Sequence, residues 1–183
     1  MRQIATHDPV IADIYLVLAR LGPRWSEARA LTVADYTKTR LVPLVRIDKA
    51  QPEGKRLKVT KSGKPRATPV EPMLVPILDR FAEGKAPGDL LLMTAQGAQL
   101  HRMPFVRTAQ LVVPTDEYDE NWNRHYSKKD GARRIHDLRH TAAVLWLTAG
   151  VPLHVVKEWL SHTSIRTTER YLQHVDGPLT WPL

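Results

Sequence analysis

A spaced set of polar side chains near the end of the chain has the clearest chemistry. It consists of His136 and Arg139, three positions apart, then His162, and then Tyr171 nine residues further on. A tyrosine hydroxyl is a weak nucleophile at neutral pH, so its target must be held in line and neutralised. Arginine suits a phosphate target, because its planar guanidinium matches two phosphate oxygens and keeps its charge. The set therefore indicates attack by a tyrosine hydroxyl on a phosphodiester.

Two further cations suit the same reaction. A pentavalent phosphorus is normally covered by two arginines, and Arg24 is the second candidate because it stands where a glycine-containing turn meets a helix. Glu27 follows one helical turn later, where it can orient Arg24 or a site histidine, or form a simple ion pair. The 5′ oxygen of a sugar leaves with a proton, which a lysine on a flexible turn can supply. Lys61 and Lys64 both lie on such a turn, and their spacing does not decide between them.

The histidines also suggest a rival interpretation, a metal-dependent hydrolase. His136 and His140 are four residues apart, the spacing of two ligands on one helix, and His162 would be the third. However, the pair lacks the glutamate of a His-Glu-x-x-His motif and no obvious carboxylate follows. Arg139 also lies between the two histidines, where its charge would oppose a metal. We therefore predict no metal, a scaffold role for His140, and phosphate or proton roles for His136 and His162.

The positive charge of the chain is concentrated in one segment. From Lys38 to Val70 there are ten Lys or Arg residues against Asp48 and Glu53, so this segment carries the whole net charge of +8. Because neutralising phosphates releases counterions, such a segment favours a polyanion such as DNA, with a solvated basic hairpin as the alternative. The predicted DNA contacts within it are Arg46, Lys49, Lys58, Lys64 and Arg66.

Composition excludes several other classes. The chain has no cysteine, so disulfides, thiolate metal sites and cysteine nucleophiles are ruled out. No run of about 18 apolar residues exists, which argues against a membrane span. The apolar stretch 11–21 is interrupted by Asp13 and Arg20, and no small-residue cleavage site follows it. A cytoplasmic protein is predicted.

The pattern of elements predicts an α+β fold that is mainly α-helical. Ile11, Ile14 and Leu18 repeat at helical spacing after an Asp8-Pro9 start. Helices are predicted at residues 9–20, 26–31, 72–83, 104–112, 138–149, 152–160 and 164–173. Strand-like runs separated by turns predict a small three-stranded antiparallel sheet, formed by residues 41–47, 56–60 and 66–70. The stretches 84–103 and 114–134 are interpreted as loop-rich, the second as a loop or weak helix.

Taken together, these residues resemble the tyrosine recombinase family of the phage-integrase type, and the similarity covers its catalytic domain over about residues 10–175. The strongest piece is the run from His136 to Thr141, followed by Leu160-Ser161-His162 and Tyr171. The run from Gly22 to Leu31 is similar to the family's first-arginine box. The order and spacing of four groups make a chance match very improbable.

The resemblance also assigns roles to individual residues. Segment 60–66, followed by Pro69, resembles the family's strand-turn-strand lysine, and so favours Lys61 over Lys64 as proton donor to the 5′-hydroxyl leaving group. The other implied roles concern the phosphate and the proton of the nucleophile. By the resemblance, Tyr171 is the nucleophile that forms a 3′-phosphotyrosyl link, and His136 assists proton transfer from it. Arg24 and Arg139 hold the non-bridging oxygens, and His162 hydrogen-bonds the phosphate. Glu27 is a supporting residue.

The wider setting is also implied by the resemblance. The family uses no metal and no nucleotide cofactor, acts on double-stranded DNA, and usually assembles as a homotetramer on two DNA sites. A monomer is expected for the free chain. The expected function is site-specific recombination in phage or mobile-element integration or excision. A catalytically inactive DNA-binding module of the same fold is the alternative, although a complete catalytic set argues against it.

Residues 1–183 are interpreted as a single catalytic domain that ends in a short tail at 176–183. Members of the family carry an upstream helical domain that closes around DNA, so we expect this chain to be a fragment of a longer protein. Pro23 and Ser161 stand where the family usually has an apolar residue and a glycine, and neither removes a catalytic group. Trp181 and Leu183 in the tail are candidates for packing on a neighbouring protomer.

Overall fold

A computed structural model describes residues 8–38, 41–59, 65–109, 112–118, 124–128 and 134–175. The helices are α1 (Pro9–Leu21), α2 (Trp25–Ala28), α3 (Val75–Ala82), α4 (Arg102–Thr108), α5 (Ile135–Thr148), α6 (Leu153–Trp159) and α7 (Arg166–Glu169). The strands are β1 (Tyr36–Thr37), β2 (Leu44–Ile47), β3 (Lys49–Ala50), β4 (Lys58–Val59), β5 (Arg66–Pro69), β6 (Val112–Tyr118) and β7 (Arg124–Lys128). Short 3-10 turns occupy Val33–Asp35, Pro72–Leu74 and Leu172–His174.

Helix α1 begins and ends as its sequence predicts. The Asp8 side chain accepts a hydrogen bond from the Ile11 amide at 3.0 Å, and a proline follows at the first helical position. The helix ends at Gly22, whose φ of 59° lies in the left-handed region. A Cβ on Gly22 would lie 3.1 Å from the Ala142 Cβ and 3.2 Å from the Trp146 ring. Glycine therefore allows both the turn and the close approach of α1 to α5.

The small antiparallel sheet is present, but its strands differ from the predicted ones. Its order is β1-β2-β5, so that β2 and β5 match the predicted first and third strands. The predicted strand at 56–60 was misplaced, because β4 pairs with β3 in a separate two-stranded hairpin. Residues 51–55 turn between β3 and β4, and the Lys55 amide donates to the Pro52 carbonyl at 3.1 Å. The turn therefore joins β3 to β4, and β4 does not pair with the three-stranded sheet.

The stretch predicted as a loop or weak helix contains a β-hairpin. Strands β6 and β7 pair antiparallel, with Val112 opposite Lys128 and Tyr118 opposite Arg124. The register shifts between Pro114 and Tyr118. Charged residues in both strands hide the alternating apolar pattern that normally identifies a strand, which explains why sequence reasoning missed this element.

Helices α5 to α7 form the C-terminal part, and α5 contributes to two apolar cores. Ile135 and Leu138 pack with the core built around α1, the sheet, α3 and α4. Further along α5, Ala142 and Trp146 pack with residues of α6 and with Tyr171. Arg139 therefore lies on α5 where the first core gives way to the second. None of the helices within the described ranges combines the length and apolarity needed to cross a bilayer.

Candidate active site

A buried carboxylate organises three arginines. Glu27 is 1% exposed, and its Oε1 accepts hydrogen bonds from Arg24 Nη1 at 2.8 Å and Arg66 Nη1 at 3.2 Å. Its Oε2 accepts from Arg66 Nη2 at 2.6 Å and from the Arg24 backbone amide at 2.7 Å, and it lies 4.0 Å from Arg139 Nη1. Burial by itself would raise the pKa of Glu27, but the hydrogen bonds and charges of Arg66 and then Arg24 lower it to about 2. Glu27 therefore stays ionised at neutral pH.

Arg139 holds two helix ends together. Its Nη1 donates to the Gly22 carbonyl at 2.7 Å, at the end of α1, and its Nη2 donates to the Leu160 carbonyl, at the end of α6. The side chain is 2% exposed, and burial followed by the charges of Arg24 and Arg66 lowers the pKa of Arg139 to about 9. It therefore remains protonated at neutral pH. Because a guanidinium carries five N–H donors, these two carbonyls leave donors for a further acceptor.

Tyr171 lies between two histidines. Its hydroxyl is 2.7 Å from His140 Nδ1, and the ring is 7% exposed because it packs in the second core. The His162 ring stacks against it at a centroid distance of 6.2 Å, while His162 Nδ1 is 3.0 Å from the Thr168 hydroxyl. The rings of His136 and His140 meet edge to face at 4.8 Å. The fold therefore brings Tyr171, the candidate nucleophile, next to His140 and His162 of the same chain.

A cavity of about 690 Å³ opens beside these side chains. Its polar lining includes His136, His140, His162, Arg170 and Tyr171. Burial and the nearby Arg139 charge lower the pKa of His136, and burial with the charges of Arg139 and Arg24 lowers that of His162 to about 4. These imidazoles are therefore neutral at pH 7. In the described part of the chain, no group of three His, Cys, Asp or Glu side chains is arranged to hold a metal ion.

His162 is positioned by the end of helix α6. The Ser161 amide donates to the Glu158 carbonyl at 2.8 Å, and the His162 amide donates to the Lys157 carbonyl at 3.0 Å. This pair of bonds is a Schellman motif, which needs a left-handed residue at the position of Ser161. Ser161 indeed has a φ of 49°. The expected family glycine is therefore replaced by a residue that holds the turn under strain.

Ser161→Gly is expected to stabilise the protein. A non-glycine residue pays about 1 to 2 kcal/mol in the left-handed region, and part of that gain is offset by the greater freedom of glycine in the unfolded chain. We expect a net increase of about 0.5 to 1 kcal/mol in the free energy of unfolding, measured as a higher urea midpoint at unchanged slope. Ser164→Gly, at a residue without a positive φ, is the matched control and should give no gain. A midpoint that does not rise in Ser161→Gly would contradict the strain argument.

The predicted DNA contacts occupy different environments. Arg46 and Lys58 are exposed, and Arg46 forms a surface ion pair with Asp48 at 2.9 Å. Lys49 is partly buried and lies 2.9 Å from Asp35. Lys61 and Lys64 lie outside the described residues, as does the predicted tail 176–183 with Trp181 and Leu183.

The placement of Arg66 differs from the prediction that it contacts DNA. Its side chain is 5% exposed, and both terminal nitrogens donate to Glu27. Side chains alternate along a strand, and in β5 the alternation turns Arg66 and Thr68 inward while Ala67 is exposed. The sequence carries no local sign of this placement, because Arg66 and Thr68 on the inner face are both polar and give the strand no apolar alternation. The contact of His140 with Tyr171 was also missed, because only the folded chain brings them together.

The chain is similar to known proteins over most of its length. A family model described as the phage integrase family matches residues 4–177. Tyrosine recombinase XerC of Mycobacterium tuberculosis (strain ATCC 25177 / H37Ra) is 30% identical over 171 residues, covering 92% of this chain and 50% of the relative. The chain spans half or less of the length of the curated relatives that it matches first.

Two solved structures show the same fold. The Tn1549 transposon integrase in complex with transposon right end DNA superposes with a TM-score of 0.64 at 15% identity, over 89% of this chain and 54% of that one. The catalytic domain of bacteriophage HP1 integrase superposes with a TM-score of 0.55 at 22% identity, over 92% of this chain and 77% of that one. The mainly helical α+β fold with its small antiparallel sheet is thereby confirmed as that of tyrosine recombinase catalytic domains. With a family model covering nearly its whole length, the chain belongs to the phage integrase family of tyrosine recombinases.

Proposed function

We propose that this chain is the catalytic domain of a site-specific DNA recombinase, which cuts and rejoins double-stranded DNA through a 3′-phosphotyrosyl intermediate at Tyr171. The observation that carries the proposal is the hydrogen bond between the Tyr171 hydroxyl and His140. The Tyr171 ring also stacks against His162, and the charge of Arg139, from the arginine cluster around Glu27, acts on the tyrosine. Neutral imidazoles next to guanidinium cations suit the transfer of a proton and the stabilisation of phosphate charge.

Each group has one task in the proposed reaction. The Tyr171 oxygen bonds to phosphorus as the bond from phosphorus to the 5′ oxygen breaks. Arg24, whose side chain is 41% exposed, and Arg139 neutralise the non-bridging oxygens. Lys61 gives a proton to the 5′ oxygen. His136 serves proton transfer and His162 hydrogen-bonds the phosphate, and reversal of these steps rejoins the strand.

The DNA partner and the biological setting are proposed by analogy with the relatives. The Tn1549 integrase is in complex with transposon right end DNA, and the XerH recombinase is bound to its difH substrate. By analogy, this domain acts in phage or mobile-element integration or excision, as part of a longer protein. It works on DNA in the host cytoplasm and assembles there as a homotetramer.

A covalent adduct assay tests the proposed reaction. The chain is incubated with supercoiled plasmids that carry candidate attachment DNA, and the products are separated in SDS. The expected result is a DNA-linked protein band whose DNA has a free 5′-hydroxyl and whose 3′ phosphate is joined to tyrosine. A version extended upstream is tested in parallel. DNA binding without an adduct from either version would favour the inactive binding module instead.

The exposed basic residues are expected to set the salt dependence of DNA binding. Each phosphate neutralised by a cation contributes about 0.9 to the slope of log affinity against log salt, so a double replacement of Arg46 and Lys58 by alanine should flatten that slope by about 2 on any sequence. Lys49→Ala is the matched control, because the Lys49 side chain is only 26% exposed and its ammonium is shared by Asp35 and Thr32. The Arg46 side chain is 61% exposed in its surface pair with Asp48, so it is free to reach a phosphate. Fluorescence anisotropy at several salt concentrations measures the slope. An unchanged slope in the double variant would place the DNA on another face.

A further inference from the structure

The hydroxyl of Tyr171 meets a histidine for which the sequence predicted only a scaffold role. His140 Nδ1 lies 2.7 Å from the Tyr171 oxygen, and the two ring centroids are 5.3 Å apart. His136 contacts the far side of this arrangement, edge to face with His140. No other hydrogen-bond partner of the Tyr171 hydroxyl is found among the described residues. His140 is therefore the imidazole within reach of the proton that must leave the nucleophile.

The environment of Tyr171 makes a base necessary. Burial raises the pKa of its hydroxyl, and the charges of Arg139 and Arg170 lower it only in part. The tyrosine is therefore protonated at neutral pH, and attack on phosphorus requires transfer of that proton. A base within hydrogen-bond distance takes the hydroxyl proton directly, so the proton does not have to pass into bulk water.

The surroundings of His140 keep its imidazole available as an acceptor. Groups on its own helix and at the N-cap of that helix are Arg134, His136, Asp137 and Arg139. Groups that line the same cavity from the facing segments are His162, Arg170, Tyr171 and His174. Burial first, and then His136 and the nearby arginines, lower the pKa of His140, against the opposing effect of Asp137. An imidazole that is neutral at pH 7 has one ring nitrogen free to accept a proton.

We propose that His140 is the catalytic base for the nucleophile, taking the Tyr171 hydroxyl proton on Nδ1 as the tyrosine oxygen bonds to phosphorus. The bond from phosphorus to the 5′ oxygen breaks in the same step, and that oxygen receives its proton from a separate donor. In the rejoining step the proton returns from His140 to the tyrosine oxygen. This assignment rests on the proposed recombinase function. Because His136 contacts His140, His136 is not the first group to receive the proton.

Variants of His140 separate base catalysis from hydrogen bonding. His140→Asn keeps a polar group near the position of Nδ1 but cannot take up a proton, whereas His140→Phe loses both properties. With a nicked duplex carrying the DNA recovered in the adduct assay, His140→Asn is expected to form adduct about 100-fold more slowly at pH 7. DNA affinity should stay within about twofold, because no DNA contact is removed. His154→Asn, at an exposed position on α6, is the matched control with wild-type rates.

Two readouts distinguish this role from a structural one. The cleavage rate of the wild-type chain should be level above pH 7, whereas that of His140→Asn should rise about tenfold per pH unit as hydroxide replaces the base. A duplex with sulfur in place of the 5′ bridging oxygen has a leaving group that needs no proton, so it should not restore the rate of His140→Asn. Restoration on that duplex, or an unchanged pH profile, would overturn the proposal.

Nitrogen NMR of the histidines tests the proposal without DNA. In the 183-residue chain at pH 7, His140 should carry its proton on Nε2 and show a hydrogen-bonded, unprotonated Nδ1. Tyr171→Phe should shift that Nδ1 signal and identify it. A protonated Nδ1 would overturn the role of His140 even if the chain forms adducts. The expected NMR signal combined with no adduct on any DNA, from either the 183-residue chain or the version extended upstream, would refute the recombinase function and, with it, this role.

Discussion

Replacing Tyr171 by phenylalanine is expected to remove covalent adduct formation to below detection while the domain stays folded. The substitution deletes only the hydroxyl oxygen that would bond to phosphorus. The ring, which packs in the core of α5 and α6, is preserved, so the buried apolar area hardly changes. The lost hydrogen bond to His140 is expected to cost about 1 kcal/mol of unfolding free energy. Adduct yield, DNA affinity and urea denaturation measured together separate chemistry from folding.

Tyr36→Phe is the matched control for this result. Tyr36 is also buried and its hydroxyl donates a hydrogen bond to Asp79 at 2.9 Å, yet it lies on β1 in the first core. It should lose a similar amount of stability and keep adduct formation. Adducts that persist in Tyr171→Phe would mean that another residue is the nucleophile, and the proposed mechanism would be wrong.

The part of the site predicted from sequence is the part that regular helices determine. His136 and His140 lie one turn apart on α5, with Arg139 between them in sequence and turned into the core, as 3.6 residues per turn requires. Gly150 follows the end of α5 with a φ of 83°, the left-handed conformation that glycine commonly adopts after a helix. Such features depend on neighbours within about four positions, so one sequence contains the information. The conformation of these features does not depend on how distant elements pack.

The contacts that were missed join residues far apart in the chain. The Glu27–Arg66 pair spans 39 positions and the His140–Tyr171 pair spans 31. Both depend on how separate elements pack, which local propensity and periodicity do not determine. The same reason explains the strand error at 56–60. A short run of strand-forming residues fits either the larger sheet or the hairpin with Lys49–Ala50, and tertiary packing selects between them.

Glu27→Gln is the second substitution with a large expected effect, because it removes the charge that three buried or partly buried arginines share. In the wild-type chain Glu27 accepts from Arg24 and Arg66 and lies 4.0 Å from Arg139. Breaking a buried ion pair by removal of one partner leaves an uncompensated charge and costs about 3 to 5 kcal/mol. We expect a loss of that order in the free energy of unfolding, measured by urea denaturation at pH 7. Adduct formation should fall as well, since Arg24 loses its orienting partner.

The pH dependence of stability provides the sharper test of Glu27. Its pKa is about 2 in the folded chain and 4.5 as a free group, so its contribution is fully present above pH 4.5 and is lost as the pH falls through about 2. The shift corresponds to about 3 kcal/mol that the wild-type chain should lose over this range and that Glu27→Gln should not. Glu71→Gln is the matched control, because Glu71 pairs with Arg20 at 3.0 Å with side chains that are 31% and 30% exposed. Such a pair contributes at most about 1 kcal/mol. If wild type and Glu27→Gln lose stability in parallel between pH 4.5 and 2, Glu27 is not the carboxylate that holds the arginines together.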